Sequence, residues 1–89
     1  MAKDPIKRLA QIRGRYPLFN SSEGSVIDNV STYLNRATRS LIPECALNVA
    51  EAHVDCYQLD LTRQGNSCIG LVRLLRNSIQ GMRVTLGVR

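Results

Sequence analysis

The side chains best suited to chemistry are one histidine, His53, and three cysteines, Cys45, Cys56 and Cys68. Imidazole and thiolate are common zinc ligands, but the spacing argues against a shared ion. Cys45 and Cys56 fall on one predicted helix, eleven residues apart, which is about 16 Å along its axis. Zinc–sulfur bonds are about 2.3 Å. His53 and Cys56 stand three apart and share a helix face, yet two ligands do not make a site, and no C-x-x-C occurs. A Cys–His nucleophile pair is equally poorly supported. His53 lies mid-helix between Ala52 and Val54, so its expected role is structural, with a ring nitrogen meeting a nearby backbone carbonyl. The acids are spread along helical faces, and their spacing brings no two of them together for acid–base work. The stretch from Gly65 to Gly70 lacks the lysine and the length of a P-loop, and there is no G-x-G-x-x-G. The expectation is a protein that is not an enzyme and holds no metal or cofactor.

Charge is the stronger signal. The net charge is +5, and ten of the twelve basic residues are arginine. Residues 1–20 set Lys3, Lys7, Arg8, Arg13 and Arg15 against Asp4. Residues 21–62 set Arg36 and Arg39 against Glu23, Asp28, Glu44, Glu51, Asp55 and Asp60. Residues 63–89 hold five arginines and no acid. An acidic middle thus lies between two basic ends. Arginine suits bidentate pairing with carboxylate or phosphate. The basic ends therefore have three open destinations: nucleic acid, acidic surfaces of neighbouring subunits, or solvent, where the imbalance only aids solubility. A sequence-reading DNA binder needs a recognition helix that offers Arg, Asn or Gln to base edges. The second predicted helix has Asn29, Asn35, Arg36 and Arg39, mostly far from its N-terminus. A small basic helical DNA-binding regulator is the alternative function.

The elements that position these residues are mainly helical. Asp4-Pro5 has an N-cap followed by proline at the first helical position. Ile6, Leu9 and Ile12 then form a narrow apolar stripe, and Gly14 and Pro17 end the helix. Tyr16-Pro17-Leu18-Phe19 is an aromatic knot expected to plug the gap between helices. Ser22 or Ser25 is expected to cap a second helix that runs to about Ser40, with Val26, Ile27, Val30, Leu34, Ala37 and Leu41 at the helical period. Pro43 and Glu44 suit the first turn of a third helix. Its apolar stripe is Ala46, Leu47, Ala50, Val54, Tyr57 and Leu61, and it ends near Arg63, before Gly65.

Beyond residue 65 the pattern divides. Leu71, Leu74, Leu75 and Ile79 fit a short helix that Gly81 would terminate, although residues 69–76 also fit a strand. Met82, Val84, Leu86 and Val88 alternate with Arg83, Thr85, Gly87 and Arg89, the period of a half-buried strand. The expected architecture is a small three- to four-helix bundle over 1–64. A C-terminal segment over 65–89 forms an extended arm, strand or hairpin within the same domain.

Eighty-nine residues, 44% of them hydrophobic, suffice for one core and not two. With no tryptophan, one phenylalanine and three tyrosines, that core must be aliphatic. No run of eighteen apolar residues is present, so no membrane-spanning helix is expected. The N-terminus lacks the apolar stretch of a secretory signal, and an odd cysteine count argues against a disulfide framework.

The order of these segments resembles the small head–tail connector, or adaptor, proteins of long-tailed bacteriophages. A basic lead helix is followed by the aromatic-Pro-x-Phe knot Tyr16-Pro17-Leu18-Phe19. A helix with the Val/Ile…Leu…Ala pattern follows, here Val26, Ile27, Val30, Leu34 and Ala37. Next comes an alanine-rich helix with Ala52-His53, continued by Val54, Tyr57, Leu59 and Leu61. Gly70-Leu71-Val72 and Gly81 to Leu86 match the terminal arm. Leu18 departs from the pattern, because an acid is frequent there, and the arm is richer in arginine than the group's.

The resemblance implies a virion protein of the neck, made in the bacterial cytoplasm. It would form a ring, typically twelvefold, beneath the portal protein ring. There it would extend the DNA channel, through which DNA passes without sequence-specific binding, and dock the tail or a stopper protein. It implies a portal-docking arm at Met82, Arg83, Val84, Thr85, Leu86, Val88 and Arg89. Lys7, Arg8, Arg13 and Arg15 would then meet Glu44, Glu51 and Asp55 of the next subunit. Tyr16, Pro17, Phe19 and His53 would be structural.

Overall fold

Asp4 opens the first helix as its spacing predicts. Its Oδ1 accepts hydrogen bonds from the backbone N–H of Ile6 at 3.0 Å and of Lys7 at 3.4 Å, which satisfies two donors that a helix start leaves without partners. The computed structural model describes residues 4–15, 21–65 and 70–88, except the side chains of Arg15, Ser21 and Ser22. The described elements are four helices: α1 (Pro5–Arg15), α2 (Ser21–Arg39), α3 (Pro43–Arg63) and α4 (Gly70–Leu86). The knot at Tyr16, Pro17 and Phe19 lies outside the described residues, as does Arg89.

Helix α2 begins at Ser21, upstream of both expected caps, so Ser22 and Ser25 lie inside it. Gly24 is buried under the Arg13 guanidinium of α1, and a Cβ there would sit 2.8 Å from one of its nitrogens. Asp28, in the second turn of α2, pairs with Arg13 Nε of α1 at 3.6 Å. Helix α3 starts as expected with Pro43 in its first turn. The Ser40 hydroxyl accepts from the Ile42 N–H at 3.0 Å, which holds the tight turn between α2 and α3.

The core is aliphatic. Leu9 of α1, Val26, Ile27, Val30, Leu34 and Ala37 of α2, Leu47, Ala50, Val54 and Leu61 of α3, and Leu71, Val72, Leu75, Ile79 and Met82 of α4 are all buried. Helices α2 and α3 form the most extensive pairing, α4 packs on α3, α1 and α2, and α1 rests on α2 and α4. Residues 70–88 are therefore part of the bundle.

The extended arm expected over 82–89 is corrected by the structure. Helix α4 passes through Gly81 and runs to Leu86. Leu71, Leu75, Ile79, Met82 and Leu86 recur every three or four residues and line the inward face, the helical period. Met82 and Leu86 satisfy both periods, and Val84 separates them. A strand would need Val84 beside Met82, yet Val84 is 71% exposed and Met82 2%. A helix also satisfies its own backbone, where a solitary strand leaves donors and acceptors unpaired. The actual stop is Gly87, at φ +69°. Its N–H donates to the Val84 carbonyl at 3.2 Å, and the Val88 N–H donates to the Arg83 carbonyl at 2.9 Å. These paired bonds are the Schellman closure, which requires a left-handed residue.

Candidate functional site

Among the described residues, the acidic edge of α3 and the arginines of α4 form the densest set of side-chain hydrogen bonds between helices. Glu51 and Asn48, one turn apart on α3, both face Arg83. Arg83 Nη2 donates to Glu51 Oε2 at 2.9 Å and to Asn48 Oδ1 at 3.1 Å. Two turns of α4 earlier, Arg76 Nη2 donates to Asp55 Oδ1 at 2.8 Å and to Gln58 Oε1 at 2.6 Å. The i, i+3 spacing of each α3 pair puts both acceptors on one ridge. The seven-residue step from Arg76 to Arg83 advances by two turns and keeps both guanidinium groups on the α3 side.

Two of the acids expected to meet a neighbouring subunit have partners within the chain. Glu51 and Asp55 are engaged by Arg83 and Arg76 of their own chain. Arg13 meets Asp28 between α1 and α2. Lys7 and Arg8 of α1 and Glu44 in the first turn of α3 are exposed, with no ion pair among the described residues. Arg15 closes α1, and its side chain is not described.

The residues assigned to a docking arm separate into three groups. Met82 is core, while Leu86 and Val88 pack against it. Arg83 is tied to α3. Of the described ones, only Val84 and Thr85 stand exposed, and the Thr85 hydroxyl donates to the Gly81 carbonyl at 2.9 Å. No arm is free to extend from this helix without exposing Met82.

His53 sits half-buried on the α2 side of α3. Its contact is a ring stack with Tyr33 rather than the expected backbone carbonyl: the centroids are 5.4 Å apart and the planes 28° from parallel. The Arg36 guanidinium lies 4.9 Å from the Tyr33 centroid. Tyr33 thus meets both an imidazole and a guanidinium cation. Periodicity alone does not reveal it, since Tyr33 falls just off the apolar stripe of α2.

Among the described residues no three His, Cys, Asp or Glu side chains gather into a metal-binding group. A surface cleft of about 360 Å³ is lined by Asp4, Lys7, Arg8 and Gln11, a mixed-charge lining contributed by the start of α1. No described helix is long and apolar enough to cross a membrane. The more conspicuous surface feature is apolar. Leu41 is fully exposed and Ile42 is 60% exposed at the α2–α3 turn, and Val49, Leu59 and Val84 are exposed elsewhere. Sequence reading assigned Leu41 to the inward stripe of α2, but the helix ends at Arg39 and leaves Leu41 on the turn. Comparison with family models, with curated proteins and with solved structures matches nothing.

Proposed function

We propose that this chain is a structural subunit that acts by docking on other proteins. By its sequence resemblance, the assembly is the head–tail connector of a long-tailed phage. In that role copies of the chain ring the portal, continue the DNA channel and present a surface to the tail or a stopper protein. One observation carries the docking role. The bundle has a closed aliphatic core of its own, yet it leaves Leu41 and Ile42 uncovered at the tip of its two longest helices. Apolar side chains held outward on a rigid turn are suited to burial against a partner. The α2–α3 tip, with Val84 as a second exposed position, takes the place of the extended arm as the docking element.

The test mixes purified protein with a candidate portal ring and measures the mass of the complex by light scattering. The expected result is stable addition of one copy per portal subunit, lost in Leu41→Asp while the helical circular dichroism is kept. A portal ring whose mass does not change rejects the connector.

The second reading, a small basic DNA-binding regulator, draws on the exposed cations Lys7, Arg8, Arg36 and Arg39. It requires DNA affinity that falls steeply as salt rises. Binding that is absent at low salt rejects it.

A further inference from the structure

The outward face of α3 carries apolar side chains that the bundle does not use. Ile42 at the helix entry and Cys45, Val49, Ala52, Cys56 and Leu59 along the helix are all exposed. Their spacings are three, four, three, four and three residues, the a/d repeat of a two-stranded coiled coil. The opposite side of the same helix supplies Leu47, Ala50, Val54 and Leu61 to the core. A helix with a single buried face carries polar residues on its outer side. This stripe carries no charge and no hydroxyl.

The order of side-chain sizes identifies what covers it. Ile-Cys-Val-Ala-Cys-Leu reads nearly the same from either end. In an antiparallel pair centred between Val49 and Ala52, Ile42 meets Leu59 of the second copy, Cys45 meets Cys56, and Val49 meets Ala52. Each layer joins an a position to a d position. The bulkiest pairs lie at the two ends and the small alanines near the middle, where the helices approach closely.

The edge of the seam is complementary in the same register, which sets Asn48 beside Asp55 of the second copy. Asn48 Oδ1 already accepts from Arg83, and Asp55 Oδ1 from Arg76. The Asn48 amide N–H groups and the second Asp55 oxygen are the donor and acceptor that remain to face each other.

We propose that two copies of this chain pair antiparallel along α3, in an isologous contact that uses the same surface twice. Six side chains, three of them no larger than cysteine, offer less than the roughly 800 Å² per partner of a standard interface. The dimer is therefore weak and exchangeable. The seam shares Ile42 with the α2–α3 tip, but its test uses the free chain without a portal ring, so it fails separately from the connector reading.

The experiment uses the full chain carrying Cys68→Ser. Its mass is followed by sedimentation from ~1 μM to ~1 mM, the range of weak association, and is expected to climb from one chain to two. Diamide is then added; it takes two electrons and two protons from each pair of thiols that join as a disulfide. Peptide mapping is expected to find Cys45–Cys56 bridges. Such a bridge must join two copies, because about 16 Å separates the two along one helix and disulfide Cα atoms lie roughly 4.4–6.8 Å apart. Cys45→Ser or Cys56→Ser should each abolish the covalent dimer. Ala52→Glu should abolish the mass increase while leaving the helical signal intact. A one-chain mass throughout the range overturns the proposal, as do Cys45–Cys45 and Cys56–Cys56 bridges, the signature of parallel pairing. Should Ala52→Glu fail to fold, the bridge map of the chain with Ala52 intact still decides.

Discussion

Single residues set where the helices end and how they touch. Gly87 is the sharpest case, since its φ of +69° lies in the region that a Cβ disfavours by about 1–2 kcal/mol. Gly87→Ala should destabilise the protein by about 1 kcal/mol, read from the denaturation midpoint at unchanged m-value. Its neighbourhood also explains why Val88 stays folded back: the closure bond to Arg83 and contact with the core hold it. His53 acts through packing. Its stack on Tyr33 has the geometry for which aromatic pairs contribute about 0.5–1.5 kcal/mol beyond area burial. His53→Ala should cost about that much, and a double-mutant cycle with Tyr33→Ala should recover most of it as coupling. Additive effects would mean that the stack contributes nothing of its own.

At the scale of elements, α4 decides the architecture, and two substitutions probe it in opposite directions. Met82→Ala removes a buried side chain and should cost about 2–5 kcal/mol. A protein that lost less than about 1 kcal/mol would have its C-terminal turns detached from the core. Gly81→Ala should do the reverse. Gly81 is inside the helix, and a Cβ there meets only Pro5 Cγ at 3.5 Å, an ordinary contact. Glycine inside a helix costs about 1 kcal/mol relative to alanine, so the variant should melt a few degrees higher. A strand or hairpin beginning at Gly81 would instead be disrupted by a stronger helix former. The α3–α4 pairing adds specificity to burial. Arg76 and Arg83, two turns apart, meet acceptors two turns apart on α3, and a slip of one helix along the other by a single turn would break both sets.

The whole molecule rests on its aliphatic core more than on its charges. The carboxylates of its three described ion pairs are substantially exposed, and exposed pairs contribute about 0–1 kcal/mol each. Raising salt from low ionic strength to about 1 M, where the screening length is about 3 Å, should therefore lower stability by no more than about 1–2 kcal/mol. A loss several times larger would place the burden of folding on electrostatics. Most of the positive charge is left at the surface, available for steering toward an acidic partner or a phosphate backbone.

Much of this organisation was legible in the residues themselves. Asp4-Pro5, Pro43-Glu44 and the exit at Gly65 marked helix ends because capping and proline geometry are local. The stripes of α2 and α3 were legible because burial repeats with the turn of the helix. Periodicity failed at 82–88, where a short run satisfied two periods at once and only the position of Val84, facing solvent, told them apart. Residue type failed at Ser22 and Ser25, since a serine can cap a helix or lie within its first turns, and both lie inside α2. The candidate site divided in the same way. The sequence displayed an acidic middle and basic ends, but charge totals carry no partner list. The pairing of Glu51 with Arg83 and of Asp55 with Arg76 joins residues 32 and 21 apart in the chain and depends on two helices lying side by side in one register. Local propensity and burial period were thus determined by the sequence alone. Which charges meet, where α4 stops being short, and which apolar face of α3 is left outside were decided by the packing of four helices around one core, because each depends on contacts between residues far apart in the chain.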